Sequence, residues 1–429
     1  MDLMNPFVYG RALYPAEFIG RKQALRHLFS RLATGQSTAL IGQPHLGKTS
    51  LLNLLANAEV RQQHVGSHFA QHIFSFVDAH PLRSIDTQAA FWDRALRAPE
   101  DAIAAGRLPQ MAGLYEVARA NNFGTFVLEQ LFRGLAESGA QLVLLLDEFD
   151  DFLTNEVLHK AEFYGSLRSL ASRSPGLMLV IACRRNLEEL NQLTQTINPH
   201  GSPYFNVFTE LELGPLSHKT TADLLDRAQN HFNRTDRQFV FDLSGRHPYL
   251  VQAAAAALWD AHSAGLTGDK RYHIAAETLY RWTQAHFADT WRVWSNVKRK
   301  AVTAVALQQF PYLLPGRFFQ VDKLAANLDD YSPELDRLAV SGMVARDEQG
   351  TWRVTQQAFL WWLADELYRN VREESDFTSW LQQQSMDGIF TRQERERMGK
   401  AVKQVTSILG KGATAFIEAY AKGLAAKNK

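Results

Sequence analysis

The stretch TALIGQPHLGKTSLLNLL, residues 38–55, runs from aliphatic and β-branched residues through a glycine-bounded loop into a leucine-rich segment. It fits G-x-x-x-x-G-K-[ST], with Gly42, Gly47, Lys48 and Thr49 in the fixed places. Glycine at both ends of the loop lets the backbone curl so that successive N–H groups converge on phosphate oxygens, where a side chain would collide. Lys48 adds positive charge for the β and γ phosphates, and the Thr49 hydroxyl suits Mg2+. The helix that follows turns its positive N-terminal end toward the anion. Gly42, Gln43, Pro44, His45, Leu46, Gly47, Lys48, Thr49 and Ser50 are therefore the candidate phosphate-binding residues, in the strand, loop and helix setting that the motif requires.

A metal-holding acid is expected beside such a loop. AQLVLLLDEFDDF, residues 140–152, carries an aliphatic run at 142–146 that suits a buried parallel strand and ends in Asp147 and Glu148. Both acids then emerge at the carboxyl edge of the sheet, where open α/β folds bind ligands. Asp147 is the candidate Mg2+ holder and Glu148 the candidate base for an attacking water. Asp150 and Asp151 read instead as helix-start residues near a positive dipole end. GLMLVIAC, residues 176–183, is a further buried strand that delivers Arg184 and Arg185. These arginines fit two roles, contact with a γ-phosphate or a solvent-facing strand cap. Cys183 reads as a small buried residue, since an aliphatic strand does nothing to lower its pKa.

HIFSFVDAH and VFTELEL supply two more strands, and PAEFIGRKQALRHLFSRL an amphipathic helix after an initial turn. Strands and helices thus alternate as in a parallel doubly wound sheet. From residue 215 to about 290 the pattern is helical only, with a bend in SGRHPYLVQ at Gly245 and Pro248. VKRKAVTAVAL, VDKLAANL and SPELDRLAVSGMV then read as three helices ahead of a hairpin turning at Gln349 and Gly350, which together make a winged-helix module. Lys298, Arg299 and Lys300 are its one basic cluster, a weak footprint for DNA. In the last segment Met398, Val402, Val405, Leu409, Phe416, Tyr420 and Leu424 form an apolar stripe, and from Arg395 onward eight Lys or Arg face two glutamates. That basic amphipathic pattern fits self-packing, a protein partner or a membrane surface.

The chain has 429 residues, enough for two or three domains, and its 46% hydrophobic and 21% charged composition excludes a wholly disordered protein. A net charge of +1 gives no global pull toward nucleic acid or membrane. The single cysteine rules out an internal disulfide framework and points to a reducing compartment. The N-terminus lacks a secretory pattern, and no window is apolar enough for a membrane span, so a cytoplasmic protein is expected.

Taken in order, NPFVYG, EFIGR, GQPHLGKTSLL, LVLLLDEFDDF, LMLVIACRR, LGPLS, GRHPYLVQ and GTWRVTQQAFLWWL resemble the STAND and AAA+ ATPases over about residues 5–369. The resemblance implies an α/β P-loop NTPase with a parallel doubly wound sheet (1–214), an all-α helical lid (215–290), a winged-helix domain (291–370) and a C-terminal helical segment (371–429). It implies ATP or ADP with Mg2+, base contacts from Phe18, Ile19, Gly20 and Arg21, and adenine contact by Pro248 with His247 nearby. Arg184 and Arg185 take the sensor position, where relatives contact the γ-phosphate. A sensor asparagine is missing, and only Arg168 and Arg173 present themselves as arginine-finger candidates. The implied activity is that of a switch that opens on a trigger, takes ATP and assembles, with slow hydrolysis. No sensor repeat or effector module is recognisable in the sequence, which leaves a partner, the assembly itself or the C-terminal basic helix as the output; the leading expectation is a separate effector protein in bacterial stress or antiphage signalling. A DNA-associated AAA+ initiator or loader, gripping duplex through the winged helix, is the alternative reading.

Overall fold

A computed structural model describes residues 4–84, 87–313, 328, 331–370, 374–384, 392–393, 395–396, 399–400, 402–403 and 413–426. The chain divides into two units, one of residues 12–43 and 47–213, the other of residues 1–11, 44–46 and 214–429.

In the first unit the aliphatic runs become strands of one parallel sheet. The strands are β1 (Thr38–Ile41), β2 (Ile73–Asp78), β3 (Leu142–Asp147), β4 (Leu177–Cys183) and β5 (Thr209–Glu212), in the order β2-β3-β4-β1-β5. Every residue of β1, β3 and β4 is buried, whereas the edge strands β2 and β5 include exposed positions. This is why the central strands carry unbroken apolar runs, since a strand covered on both faces has no position for a polar residue until it leaves the sheet.

Side-chain alternation splits those runs between two cores. Ile41, Leu144, Leu146, Leu179, Ile181 and Cys183 face one core, and Leu40, Val143, Leu145, Met178, Val180 and Ala182 the other. The second core is closed by helices α1 (Lys22–Ala33), α2 (Lys48–Ala56) and α3 (Ala58–Val65), with Leu25, Leu28, Phe29 and Leu32 of α1 recurring at helical spacing. The first is closed by α4 (Gln88–Ala95), α5 (Arg97–Ala104), α6 (Ala112–Ala120), α7 (Thr125–Glu137), α8 (Ala161–Arg173) and α9 (Leu187–Thr194).

The second unit is mostly helical. It contains α10 (His218–Leu225), α11 (Arg234–Ser244), α12 (Pro248–Ser263), α13 (Gly268–Val293), α14 (Asn296–Leu313) and α15 (Ser332–Val340). A hairpin of β6 (Val344–Arg346) and β7 (Trp352–Val354) follows, then α16 (Gln357–Asn370), α17 (Glu374–Gln383) and α18 (Ala413–Ala426). Gly245, at φ 55°, ends α11 in the left-handed conformation, and Pro248 opens α12, so the bend expected at this site has its two usual causes. α12 is buried on every side from Leu250 to Trp259. The VDKLAANL helix expectation lies outside the described residues except for Leu328.

The basic cluster turns inward, and so does the described part of the C-terminal stripe, for which self-packing is one of the three expected readings. Lys300 is buried with Nζ 4.9 Å from the Tyr331 ring centroid. The Arg299 guanidinium donates to the carbonyls of Trp291 at 2.7 Å, Arg292 at 2.8 Å and Gln384 at 3.1 Å. The basic cluster is thus largely engaged within its own unit. Likewise Phe416, Ile417, Ala421 and Leu424 of α18 are buried, Phe416 stacks 5.7 Å from Phe310, and the Tyr420 hydroxyl donates to Asp242 at 3.1 Å. α18 therefore packs on its own chain; Met398, Val405 and Leu409 of the same stripe lie outside the described residues. No helix among the described residues is long and apolar enough to cross a membrane.

Candidate nucleotide-binding site

The loop between β1 and α2 begins with the Gly42 N–H donating to the Cys183 carbonyl at 3.0 Å, which ties it to the end of β4. It ends at Gly47 with φ 91°, a backbone state that a side chain would strain. Lys48 is buried, and its ammonium spans the loop to the carbonyls of Gly42 at 2.8 Å and Gln43 at 3.1 Å. Burial pulls the Lys48 pKa down, while the charges of Glu148, Asp150 and Asp147 oppose that shift. Ser50 is buried too, and its hydroxyl oxygen accepts the Leu13 N–H at 3.1 Å.

β3 brings the acids to the same edge. Asp147 is buried, and its carboxylate accepts the Thr49 hydroxyl and, at 3.0 Å, the Glu148 N–H. Burial raises the Asp147 pKa against those bonds. Glu148 takes a left-handed backbone, φ 49°, which turns the chain out of the strand into a 3-10 turn over Phe149–Thr154. Its carboxylate pairs with the Arg184 guanidinium.

Asp150 and Asp151 sit in the first turn of that short helix, where both are buried. Asp150 accepts the Arg184 N–H at 2.6 Å and lies 3.4 Å from Arg185 Nη1. Its pKa is raised by burial, against the hydrogen bond from Arg184 and the charges of Arg185 and Lys48. Asp151 accepts from His80 Nδ1 at 2.9 Å. The arginines after β4 are therefore half-buried and paired with the acids, Arg184 with Glu148 and Arg185 with Asp150. Arg168 and Arg173 lie on α8 and take no part in this set of bonds.

Phe18, Ile19, Gly20 and Arg21 lead into α1 in the same unit. Gly20 has φ 88°, and Arg21 caps the helix with φ 59° while burial lowers its pKa to about 10. Pro248 opens α12 in the other unit. Residues 44–46 belong to that unit as well. His247 Nε2 donates to the Pro44 carbonyl at 3.2 Å, and the His45 ring lies 5.0 Å from Tyr249 and 5.2 Å from His286.

These groups fit a nucleotide and its metal. Lys48 and Arg184 are cations around an anion-sized task, and Arg184 Nε is buried without a hydrogen-bond partner among the described residues, a donor left over for an anion. Thr49 and Asp147 are paired hard oxygen donors of the kind that Mg2+ takes. Glu148 is the adjacent carboxylate, in reach of Arg184. Sequence reasoning missed Asp150, Tyr249 and His286. The acidic residues around Asp150, interrupted only by Phe149, were the available hint, and nothing marked the two rings.

The model of the family described as Novel STAND NTPase 2 matches residues 35–310. Among solved structures, the chain is similar to a Walker-type ATPase of Pyrococcus abyssi, at 13% identity and TM-score 0.48 over 83% of this chain and 99% of that one. It is similar to the ORC2 protein of Aeropyrum pernix in ADPNP–ADP complexes, at 13% identity and TM-score 0.44 over 83% and 95%. It is also similar to a STAND protein with a tetratricopeptide repeat sensor from Pyrococcus horikoshii, at 14% identity and TM-score 0.35 over 94% and 49%. No curated protein matches.

Proposed function

The chain belongs to the Novel STAND NTPase 2 family, and from that premise we propose an ATP-binding switch that hydrolyses ATP slowly with Mg2+ and changes conformation or assembly with the nucleotide it holds. The observation that carries this reading is the Arg184–Glu148 pair beside the buried Lys48. A carboxylate held by an arginine is not free to approach a water until another anion draws the arginine away, and such an arrangement suits a slow switch.

Mg·ATP, when bound, supplies the scissile phosphoanhydride and a divalent charge. The chain would do the rest. Lys48 would move its ammonium from the Gly42 and Gln43 carbonyls to phosphate oxygens, and Thr49 and Asp147 would hold the metal. Glu148 would orient a water and take its proton, while Arg184 and Arg185 would meet the γ-phosphate. Ile19, Gly20, Arg21 and Pro248 are the proposed base contacts. Residues 1–214 form the proposed nucleotide-binding domain, 215–290 the lid, 291–370 the winged helix and 371–429 a C-terminal helical segment.

The proposed output is control of a separate effector protein through nucleotide-dependent homo-oligomerisation, in bacterial stress or antiphage signalling. Resemblance to STAND proteins is its support. Duplex DNA is not the proposed partner, because Arg299 and Lys300 are engaged within their own unit. Light scattering tests the switch. A larger mass is expected with Mg2+ and a slowly hydrolysed ATP analogue than with ADP, and equal masses would refute nucleotide-dependent assembly.

A further inference from the structure

The tip of the phosphate loop, residues 44–46, packs with the helical unit, where a hydrogen bond and ring contacts come from one neighbourhood. His247, the residue before Pro248, donates its Nε2–H to the Pro44 carbonyl at 3.2 Å. Next to it the His45 ring packs 5.0 Å from Tyr249 and 5.2 Å from His286, and His286 lies 5.1 Å from both His247 and Tyr249. The rings thus form one connected group. His286 is buried, and its Nδ1 has no hydrogen-bond partner among the described residues, so its visible contribution is ring contact.

His45 has φ 61°, a left-handed backbone that is uncommon outside glycine but that histidine, like asparagine and aspartate, adopts more readily than other residues. The motif itself demands nothing of this side chain, because the position is one of its variable ones. A loop must be ordered to present several N–H groups to one anion, and ordering it on binding subtracts from affinity.

We infer that His45 is a positioning residue for nucleotide binding: its ring, packed on Tyr249 and His286 while His247 holds the Pro44 carbonyl, sets the phosphate-loop tip in its binding shape before the nucleotide arrives. The inference rests on the phosphate-loop reading above. It makes Tyr249, His247 and His286 determinants of affinity through the loop backbone that they hold.

Calorimetric titration of the full chain with ADP tests this. His45→Asn keeps a residue suited to the left-handed backbone and deletes the ring. It is expected to weaken ADP binding about three- to ten-fold, the range for losing one or two ring contacts. His286→Ala should weaken binding by a similar factor, and His286→Phe, which restores a ring, should bind as wild type does. His45 is exposed, so its replacement leaves the core intact and decides the question even if a His286 variant fails to fold. Wild-type affinity in His45→Asn, or equal weakness in His286→Phe and His286→Ala, would overturn the inference. Lys48→Ala separates the two claims. Undiminished ADP binding in that variant defeats the phosphate-loop reading itself, whereas lost binding there with an unchanged His45→Asn defeats only the role given to His45.

Discussion

The Arg184 guanidinium is paired with the Glu148 carboxylate, while the backbone N–H of the same arginine is held by Asp150 at 2.6 Å. β3 and β4 lie side by side in the sheet, so the acid and the arginine leave from neighbouring strand ends. Removing the acid should separate binding from turnover. Glu148→Gln is expected to bind Mg·ATP within about two-fold of wild type and to lose phosphate release by about 100-fold or more, the usual scale for a general base. A phosphate-release assay beside calorimetry checks this, and undiminished release would remove Glu148 from the chemistry.

Arg184→Ala bears on the same pair from the other side. Deleting the guanidinium leaves Glu148 without that counter-ion and removes one of the cations proposed to meet a γ-phosphate. The expected outcome is an affinity for the ATP analogue that falls at least about ten-fold while ADP affinity changes little, since a charge-assisted contact specific to the third phosphate would be the one lost. Parallel titrations with the two nucleotides read this out, and equal losses for both would contradict it.

Lys48→Ala should abolish measurable binding of either nucleotide. The ammonium is buried and already shared by the Gly42 and Gln43 carbonyls, so a solvent cation cannot take its place. Hydrogen bonds to a charged group contribute about 1.5–3 kcal/mol each, and two of them lost to phosphate would lower affinity by more than about 100-fold.

Acid should destabilise the helical unit through His286. Burial holds its pKa at about 3 against 6.5 for an exposed imidazole. Between those values the unfolded chain carries a proton that the folded one refuses, so the stability contributed by neutral His286 is present above pH 6.5 and drains away as pH falls toward 3. From pH 7 to pH 5 wild type should lose about 2 kcal/mol relative to His286→Phe. Urea unfolding at several pH values measures the difference, and parallel pH profiles for the two proteins would exclude the effect.

The C-terminal helix should behave as core. Phe416 is buried against Phe310, so Phe416→Ala is expected to cost about 3 kcal/mol and lower the melting temperature. Because the apolar side of α18 is already covered, the chain should not float with anionic vesicles in a density gradient. Flotation of wild-type protein would show that this helix has another surface to offer.

Much of the nucleotide-binding unit was legible because burial on both sheet faces forces unbroken aliphatic runs, and because the loop must place glycine where its backbone turns. The acids at 147 and 148 could be picked out because they end such a run. Asp150 could not, since adjacent carboxylates look alike until strand order decides which one meets the end of β4. Lys298–Lys300 read as a surface cluster from charge alone, yet helix rotation carries Lys300 inward to Tyr331. The contacts of His45 depend on residues about 200 and 240 positions along the chain, Tyr249 and His286, and no local periodicity encodes them.

The lone thiol of the sequence lies at the end of β4, fully buried, with its pKa pushed well above the ordinary value by burial and its carbonyl bonded to Gly42. It is therefore a built-in clock for breathing at the heart of the molecule. A thiol reagent can reach it only when the core that covers it opens, so the speed of its labelling counts those openings in the unaltered protein.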